Sequence, residues 1–335
     1  MIGPLLARLA AREDLSRDEA ALLVECFVDD RVTDAQVGAA LVALAMKGET
    51  ADELAGLAEA LRERAIPVLT RHRVFLDTAG TGGDGSGTFN ISTTAAFVIA
   101  AAGLPVAKHG NRAASSRSGS ADVLAALGIT IDDDADEAGA SLDELGICFM
   151  FAPKYHAATR RVADVRRQLG IRTAFNLLGP LTNPARAPRQ IIGVGTAAAV
   201  ERIAEVAARL GIERAWIVHG DGLDEMSISG TTRIADVRDG AVVRTFEVSP
   251  DDAGLPLAAR ESCSGGSPDD NAAVLAGILD GDIRDARRDV VVLNAAAGLL
   301  IGDVVESLDD GARRAEAAID SGAAARLLAA LRDRR

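Results

Sequence analysis

The stretch DTAGTGGDGSGTFNISTTAAFVIAAAGLPVAKHGNRAASSRSGSADVLAALG, Asp77–Gly128, decides the fold. It follows the apolar run Val74-Phe75-Leu76. Gly80, Gly82, Gly83, Asp84, Gly85 and Gly87 then come too densely for any regular element. This is a loop after a strand, in which backbone N–H groups can converge on an anion and the next helix adds the positive end of its dipole. The predicted helix is capped within Asn90-Ile91-Ser92-Thr93-Thr94, continues through the apolar run Ala95–Ala102 and stops at Gly103. A second strand, Leu104–Ala107, leads into Lys108-His109-Gly110-Asn111-Arg112. Hydroxyls from Ser115 to Ser120 then precede a short helix, Ala121–Leu127. Two glycine-containing loops, the second cationic, suit a ligand with phosphates at two places.

Gly80-Thr81-Gly82-Gly83-Asp84-Gly85 also satisfies the G-x-G-x-x-G fingerprint of dinucleotide folds. That fold wants a helix at once and a carboxylate after the next strand. Here the helix is delayed and the second strand ends on Lys108 and Arg112, so a nicotinamide cofactor is not expected.

Outward from this unit, 335 residues suffice for one large or two modest domains. The apolar share is 48% and the aromatic share 3%, so the core is built from Ala, Val, Leu and Ile. A net charge of −13 repels nucleic acid and anionic membranes. Cys26, Cys148 and Cys263 are widely spaced without a C-x-x-C pattern, which suits a reducing compartment and no structural zinc. Met1–Asp14 has no signal-peptide core, and the apolar stretches near Ala95–Ala102 and Val290–Ile301 are too short to span a bilayer. A soluble cytoplasmic protein is expected.

Ile2–Leu69 has helical periodicity in four segments, with Ser16, Thr33 and Thr50 as caps and Pro67 as terminator. This predicts a small helical domain that serves as a dimer surface, a lid or a scaffold. Beyond it come a helix at Asp136–Leu145, a strand at Ile147–Phe151, a helix at Ala157–Leu169 and a packed loop at Phe175–Pro184. Strands at Ile191–Gly195 and Ala215–His219 flank a helix at Ala197–Leu210, and the right-handed crossover makes them parallel. Val242–Val248 and Val290–Leu293 read as strands, Asn271–Leu279 as a helix, and further helices run from Ala295 to the end. Arg160, Arg161, Arg166 and Arg167 lie along one helix. Most of them read as solvated face, and Arg166 stands out because it approaches the Phe175 loop.

Asp224 and Glu225 follow a strand end in a glycine loop, unlike the helix-borne pairs Asp18-Glu19, Asp52-Glu53, Asp136-Glu137 and Asp143-Glu144. Ligands of open α/β sheets collect at the carboxyl ends of the strands. Two carboxylates and the Ser92 hydroxyl there offer hard oxygen donors to Mg2+, with water and phosphate completing the shell.

Asp77-Thr-Ala-Gly80-Thr-Gly-Gly83-Asp84, Asn90-Ile-Ser92-Thr93, Lys108–Ser116 and Ser120 resemble the phosphoribosyl diphosphate site of the anthranilate phosphoribosyltransferase family. Phe151-Ala-Pro, His156, Val165-Arg166, Leu169–Pro184, His219–Glu225 and Val292-Leu-Asn-Ala-Ala continue the resemblance in order. It implies a small helical N-terminal domain plus a large α/β domain with a mostly parallel sheet, of the nucleoside phosphorylase/phosphoribosyltransferase type. The helical domain is residues 1–70 joined by about 166–188, and the α/β domain is 71–165 and 189–335. The active site lies between them, and a homodimer forms through the helical domain. By resemblance, Gly80, Gly83, Asp84, Thr88, Asn90, Ile91, Ser92, Thr93, Lys108, His109, Gly110, Asn111, Arg112, Ala113, Ala114, Ser115, Ser116 and Ser120 surround phosphoribosyl diphosphate. Ser92, Asp224 and Glu225 hold magnesium, and Gly80, Asn111 and Arg166 contact anthranilate. The implied reaction is attack of the aromatic amine on the anomeric carbon with loss of diphosphate, in tryptophan biosynthesis. Lys108 and Arg166 support the transition state, and His109 or His156 takes a proton or positions the acceptor, with no single base assigned.

Two positions depart from the family pattern: Ala157 follows His156 where proline is common, and Asp164 precedes Val165 where proline is frequent. Both concern the acceptor side, so another arylamine is the first alternative. A pyrimidine nucleoside phosphorylase would carry a different basic loop, and a nucleic-acid-binding relative a basic groove.

Overall fold

The computed structural model describes residues 2–113 and 117–334. Four helices open the chain: α1 (Ile2–Ala10), α2 (Arg17–Phe27), α3 (Asp34–Lys47) and α4 (Ala51–Arg64). Ser16, Thr33 and Thr50 close capping boxes with Glu19, Gln36 and Glu53 at the starts of α2, α3 and α4, so local sequence alone specifies where these helices begin. Glu53 does more than cap. Fully buried, it accepts hydrogen bonds from the amides of Leu15 (2.9 Å) and Thr50 (2.8 Å) and from Lys47 Nζ (2.9 Å), tying the start of α4 to the start of α2.

The α/β part contains β1 (Leu76–Gly80), α5 (Ile91–Ala101), β2 (Val106–Gly110), α6 (Ser120–Ala126), α7 (Ala135–Leu145), β3 (Ile147–Phe151), α8 (Ala152–Tyr155), α9 (Arg160–Leu169), α10 (Phe175–Leu178), β4 (Arg189–Gly193), α11 (Ala199–Arg209) and β5 (Arg214–Gly220). The antiparallel strands β6 (Thr232–Arg238) and β7 (Ala241–Val248) follow, then α12 (Pro268–Leu279), α13 (Ala286–Ile301), α14 (Leu308–Asp320) and α15 (Ala323–Asp333). The sheet has the order β3-β2-β1-β4-β5-β6-β7, parallel from β3 to β5.

Successive strand residues point to opposite faces, and the core divides accordingly. Leu76, Val106, Ile147, Ile191 and Trp216 face α5 and α12–α15, whereas Ile192, Ile217 and Ala235 face α11 and the N-terminal helices. On that second face Val162, Val165, Ala174, Leu178 and Leu181 share one core with α1–α4. Phe27 and Phe175 meet at 6.2 Å between ring centroids. The half-buried Arg62 donates from Nε to the Leu181 carbonyl at 2.6 Å.

Several expectations are corrected. Val290–Leu293 is not a strand but lies inside α13, buried on every side between α5, α14 and the sheet. β6 was not foreseen; its apolar alternation is interrupted by Asp236, fully buried and paired with Arg238 at 2.9 Å. β1 is not the apolar run Val74-Phe75-Leu76 but Leu76–Gly80, reaching into the expected loop, and β2 begins at Val106 and continues through Lys108 and His109. The helix expected at Ala157–Leu169 is split into a 3-10 turn, Ala157–Thr159, and α9, and the Phe175 loop is wound into α10 and a 3-10 turn, Gly179–Leu181.

Candidate active site at the switch point of the sheet

Strand order reverses between β1 and β4, the place where an open α/β sheet leaves a crevice at the carboxyl ends of its strands. The last residues of these two strands, Gly80 and Gly193, lie opposite one another. Neither has positive φ; both are glycine because of what sits over them. A Cβ on Gly193 would lie 1.6 Å from the Asp224 carbonyl oxygen, and one on Gly80 2.2 Å from Asp224 Oδ2. The acidic loop after β5 is thereby seated on a side-chain-free floor.

The glycine loop folds over this floor. Gly82, Gly83, Gly85 and Gly87 all have φ between 63° and 72°, a region that L side chains rarely adopt. Gly82 N–H donates to Asp224 Oδ2 at 2.7 Å, Asp224 N–H donates to Asp84 Oδ2 at 3.3 Å, and Thr81 N–H donates to the Gly193 carbonyl at 2.8 Å. Thr88 pairs with Ser264 in an isolated bridge that closes the loop.

Lys108, 4% exposed, reaches up from β2. Its Nζ donates to the Thr78 carbonyl and, at 3.5 Å, lies beside Ser92 Oγ. The Ser92 amide, in the first turn of α5, donates to Glu225 Oε1 at 3.1 Å. Loss of water raises the pKa of both Glu225 and Asp224; Asp224 adds to the first shift and Asp84 to the second. Burial lowers that of Lys108, against the pull of Asp77, Glu225 and Asp224. Carboxyls and ammonium share one poorly hydrated crevice, where an added cation or anion is felt strongly.

Among the described residues no three or more His, Cys, Asp and Glu side chains gather to enclose a metal. Ser92, Asp224 and Glu225 instead bring a few hard oxygens to one poorly hydrated crevice, the donor set that magnesium accepts when phosphate and water supply the rest.

The other sequence-selected residues form a second tier. Asn90 is the N-cap of α5, yet its side chain makes no capping bond. It accepts from Ser118 Oγ (3.3 Å) and Asn271 Nδ2 (3.0 Å), fixing the end of the basic loop. Asp122 organises that loop by accepting from the Ala113 amide (2.8 Å), the Gly119 amide (3.0 Å) and Arg112 NH1 (2.8 Å). Ser120 Oγ donates to the Asn111 carbonyl at 3.3 Å. Ala114, Ser115 and Ser116 lie outside the described residues.

A cavity of about 280 Å³ opens beside the crevice, walled by Leu61 of α4, His109, Asn111, His156, Arg166 and Phe175 among others. His109 Nδ1 lies 3.1 Å from the Gly179 carbonyl, which can only accept, so Nδ1 carries the proton and the buried, unpartnered Nε2 keeps a lone pair. Burial, together with His156 whose ring lies 5.2 Å away, pushes the His109 pKa down to about 3. Burial lowers that of His156 too, against a hydrogen bond to the Thr182 backbone. Arg166 has no carboxylate partner among the described residues; its guanidinium lies 5.7 Å from the Phe175 ring centre, and its Nε is buried without a partner. Gly80 is not part of this cavity wall, being covered by Asp224. Asp164 is on the wall, within an ion pair to Arg167.

Three supporting residues were missed from sequence. Asp77, read as the end of a strand, is buried within it and accepts from the His109 amide (3.1 Å) and Asn183 Nδ2 (2.7 Å). Asn183 lies in a turn that gives no hint of its partner. Asn294 of α13 grips the backbone of Met226, accepting its N–H at 3.0 Å and donating to its carbonyl at 3.1 Å, and so fixes the residue after Glu225. Its signal was a polar residue inside an apolar run.

Residues 3–65 match the family described as "Glycosyl transferase family, helical bundle domain", and residues 72–325 match "Glycosyl transferase family, a/b domain". The anthranilate phosphoribosyltransferase of Myxococcus xanthus is 51% identical over 327 residues, covering 97% of this chain and 96% of that protein. That of Moorella thermoacetica is 50% identical over 332 residues, covering 99% and 97%. The crystal structure of anthranilate phosphoribosyltransferase from Thermus thermophilus superposes with a TM-score of 0.92 at 40% identity, covering 98% of each chain. The Saccharomyces cerevisiae enzyme in complex with PRPP and Mg superposes with a TM-score of 0.90 at 28% identity, covering 99% of this chain and 97% of that one. Switch-point crevice, glycine loop and full-length similarity agree: the chain belongs to the anthranilate phosphoribosyltransferase family, with its helical bundle and α/β parts both present.

Proposed function

We propose that this protein transfers the phosphoribosyl group of phosphoribosyl diphosphate to the amine of anthranilate, releasing diphosphate, in tryptophan biosynthesis. The observation that carries the reading is a single β2 step. Lys108 and His109 are consecutive, so the strand's alternation sends the ammonium into the crevice of Ser92 and Glu225 and the imidazole into the cavity of Arg166. One strand thus serves a donor site and an acceptor site.

In the donor crevice, the glycine loop offers amides to diphosphate ahead of the N-terminal end of α5, and Lys108 supports the charge that grows on it as the glycosidic bond breaks. Ser92, Asp224 and Glu225 would hold magnesium, which would supply positive charge to the leaving diphosphate. In the acceptor cavity, Arg166 meets the substrate carboxylate with a fork of donors and Asn111 orients it. The arylamine has a free lone pair at neutral pH, so alignment against a ribosyl carbon of oxocarbenium character is what the cavity supplies. His109 Nε2 faces the acceptor as a neutral hydrogen-bond acceptor, able to receive an amine proton after attack.

The division into a helical domain, 1–70 with about 166–188, and an α/β domain is part of this reading; the shared core of α1–α4 with Ala174, Leu178 and Leu181 supports it. So is a homodimer through the helical domain, where Leu22 and Met46 are exposed. A cytoplasmic setting is supported by three free, buried cysteines, and among the described residues no helix is long and apolar enough to cross a membrane.

The test is the decay of anthranilate fluorescence with purified protein, phosphoribosyl diphosphate and magnesium. Decay should require all three. Arg166→Ala should raise the KM for anthranilate by about 10- to 100-fold, the loss of a charged hydrogen-bonding fork, with the donor KM little changed. Diphosphate release with other arylamines but not anthranilate would overturn the acceptor assignment.

A further inference from the structure

Arg172 lies in the turn between α9 and α10, six residues beyond Arg166, and belongs to neither the donor crevice nor the acceptor cavity wall. Its guanidinium reaches across to the glycine loop: NH1 and NH2 both donate to the Gly82 carbonyl, each at 3.2 Å. The fork fills the space over Gly83, where a Cβ would lie 1.4 Å from NH1. Among the described residues Arg172 has no carboxylate partner, so this carbonyl is what holds it. The loop is otherwise held from below, by Gly193 and Asp224 through Thr81 N–H and Gly82 N–H. Its tip packs on Gly195, where a Cβ would lie 3.2 Å from the Gly82 carbonyl oxygen. A loop with four glycines at φ of 63–72° has few side chains to fix its own shape beyond Asp84 and Ser86, so contacts on both sides restrict it.

We propose that Arg172 is a positioning residue for the donor site: by clasping the Gly82 carbonyl from above, it holds the glycine loop in the shape whose amides receive diphosphate. This rests on the phosphoribosyl transfer proposed above. The fork fixes the Gly82 carbonyl and lowers the entropy that the loop loses when phosphate arrives. Arg166 and Arg172 therefore serve the two substrates from one short segment, the first the acceptor and the second the donor.

The experiment compares Arg172→Ala and Arg172→Lys with the native protein and with Ile171→Ala, an exposed neighbour that touches none of this. Calorimetry reads the affinity for phosphoribosyl diphosphate with magnesium, and steady-state kinetics reads both KM values. Arg172→Ala should weaken donor affinity about tenfold, as expected for loss of an ionic hydrogen bond in contact with water. The anthranilate KM at saturating donor should stay within about twofold. Arg172→Lys, which keeps one donor of the fork, should recover part of the loss, and Ile171→Ala should match the native protein. Unchanged donor affinity in Arg172→Ala would overturn the proposal, as would a rise confined to the anthranilate KM. Should the alanine variant fail to fold, the lysine variant decides by the same criterion. If the native protein binds the donor but does not consume anthranilate, the functional reading fails while calorimetry still judges Arg172.

Discussion

His109 illustrates how one side chain couples the acceptor cavity to stability. Its pKa, pushed down to about 3 by burial, compares with an ordinary value near 6.5 in the unfolded chain. Below pH 6.5 the unfolded chain takes up a proton that the native imidazole refuses, so native stability falls as pH drops from 7 and is fully expressed only above about 6.5. This single group should remove about 2 kcal/mol between pH 7 and pH 5. His109→Asn, which keeps an N–H donor for the Gly179 carbonyl, should remove this group's share of the slope in urea unfolding measured across the range; an unaltered slope would show that the imidazole takes up its proton alike in the folded and unfolded chains. The residues legible from sequence were those whose chemistry is local: the glycines of the loop, Lys108 at a strand end, Asp224-Glu225 after another. Asp77, Asn183, Asn294 and Arg172 were not, because each owes its role to a partner far along the chain, and an Asp in a strand or an Arg in a turn looks like any solvated side chain until that partner is placed.

Among elements, the junction of β1 and β4 sets the geometry of the acidic loop. Gly193→Ala adds one methyl where the Asp224 carbonyl already sits, so the loop after β5 must lift. Magnesium-dependent turnover should fall by about 100-fold, the scale of a small misplacement of reacting groups, while circular dichroism stays native. Turnover within about threefold of native would mean that the acidic loop does not need its present seat. The helical region was readable in its elements because caps and periodicity are written locally. The sheet was readable where strands alternate with amphipathic helices. Reading failed at α13 and β6 for opposite reasons. Val290–Leu293, three β-branched valines and a leucine, is uniformly apolar because α13 is buried all round, and periodicity cannot separate such a helix from an inner strand. β6 hides behind Asp236, a buried carboxylate stabilised by Arg238 and by Arg244 of the neighbouring strand.

At the scale of the molecule, the N-terminal helices begin by local signals but are completed from a distance. Gly38 of α3 lies against Val165 and Leu169, at 3.6 and 3.8 Å from the position of a Cβ, and the core that contains Leu41 and Leu57 also contains Leu178, Val200 and Ile203. A fragment of residues 1–70 should therefore show helical circular dichroism without a cooperative thermal transition and should bind an apolar dye; a sharp two-state melt would show that this bundle stands alone. The same dependence has a temporal side. A ribosome elongating at roughly 5–20 residues per second releases the first four helices on the order of ten seconds before α11 follows. During that interval the capped helices are formed, but one face has nothing to cover it. The order of synthesis thus places the adhesive helices first and their cover second, making the nascent chain a client for whatever shields apolar helices at the tunnel exit.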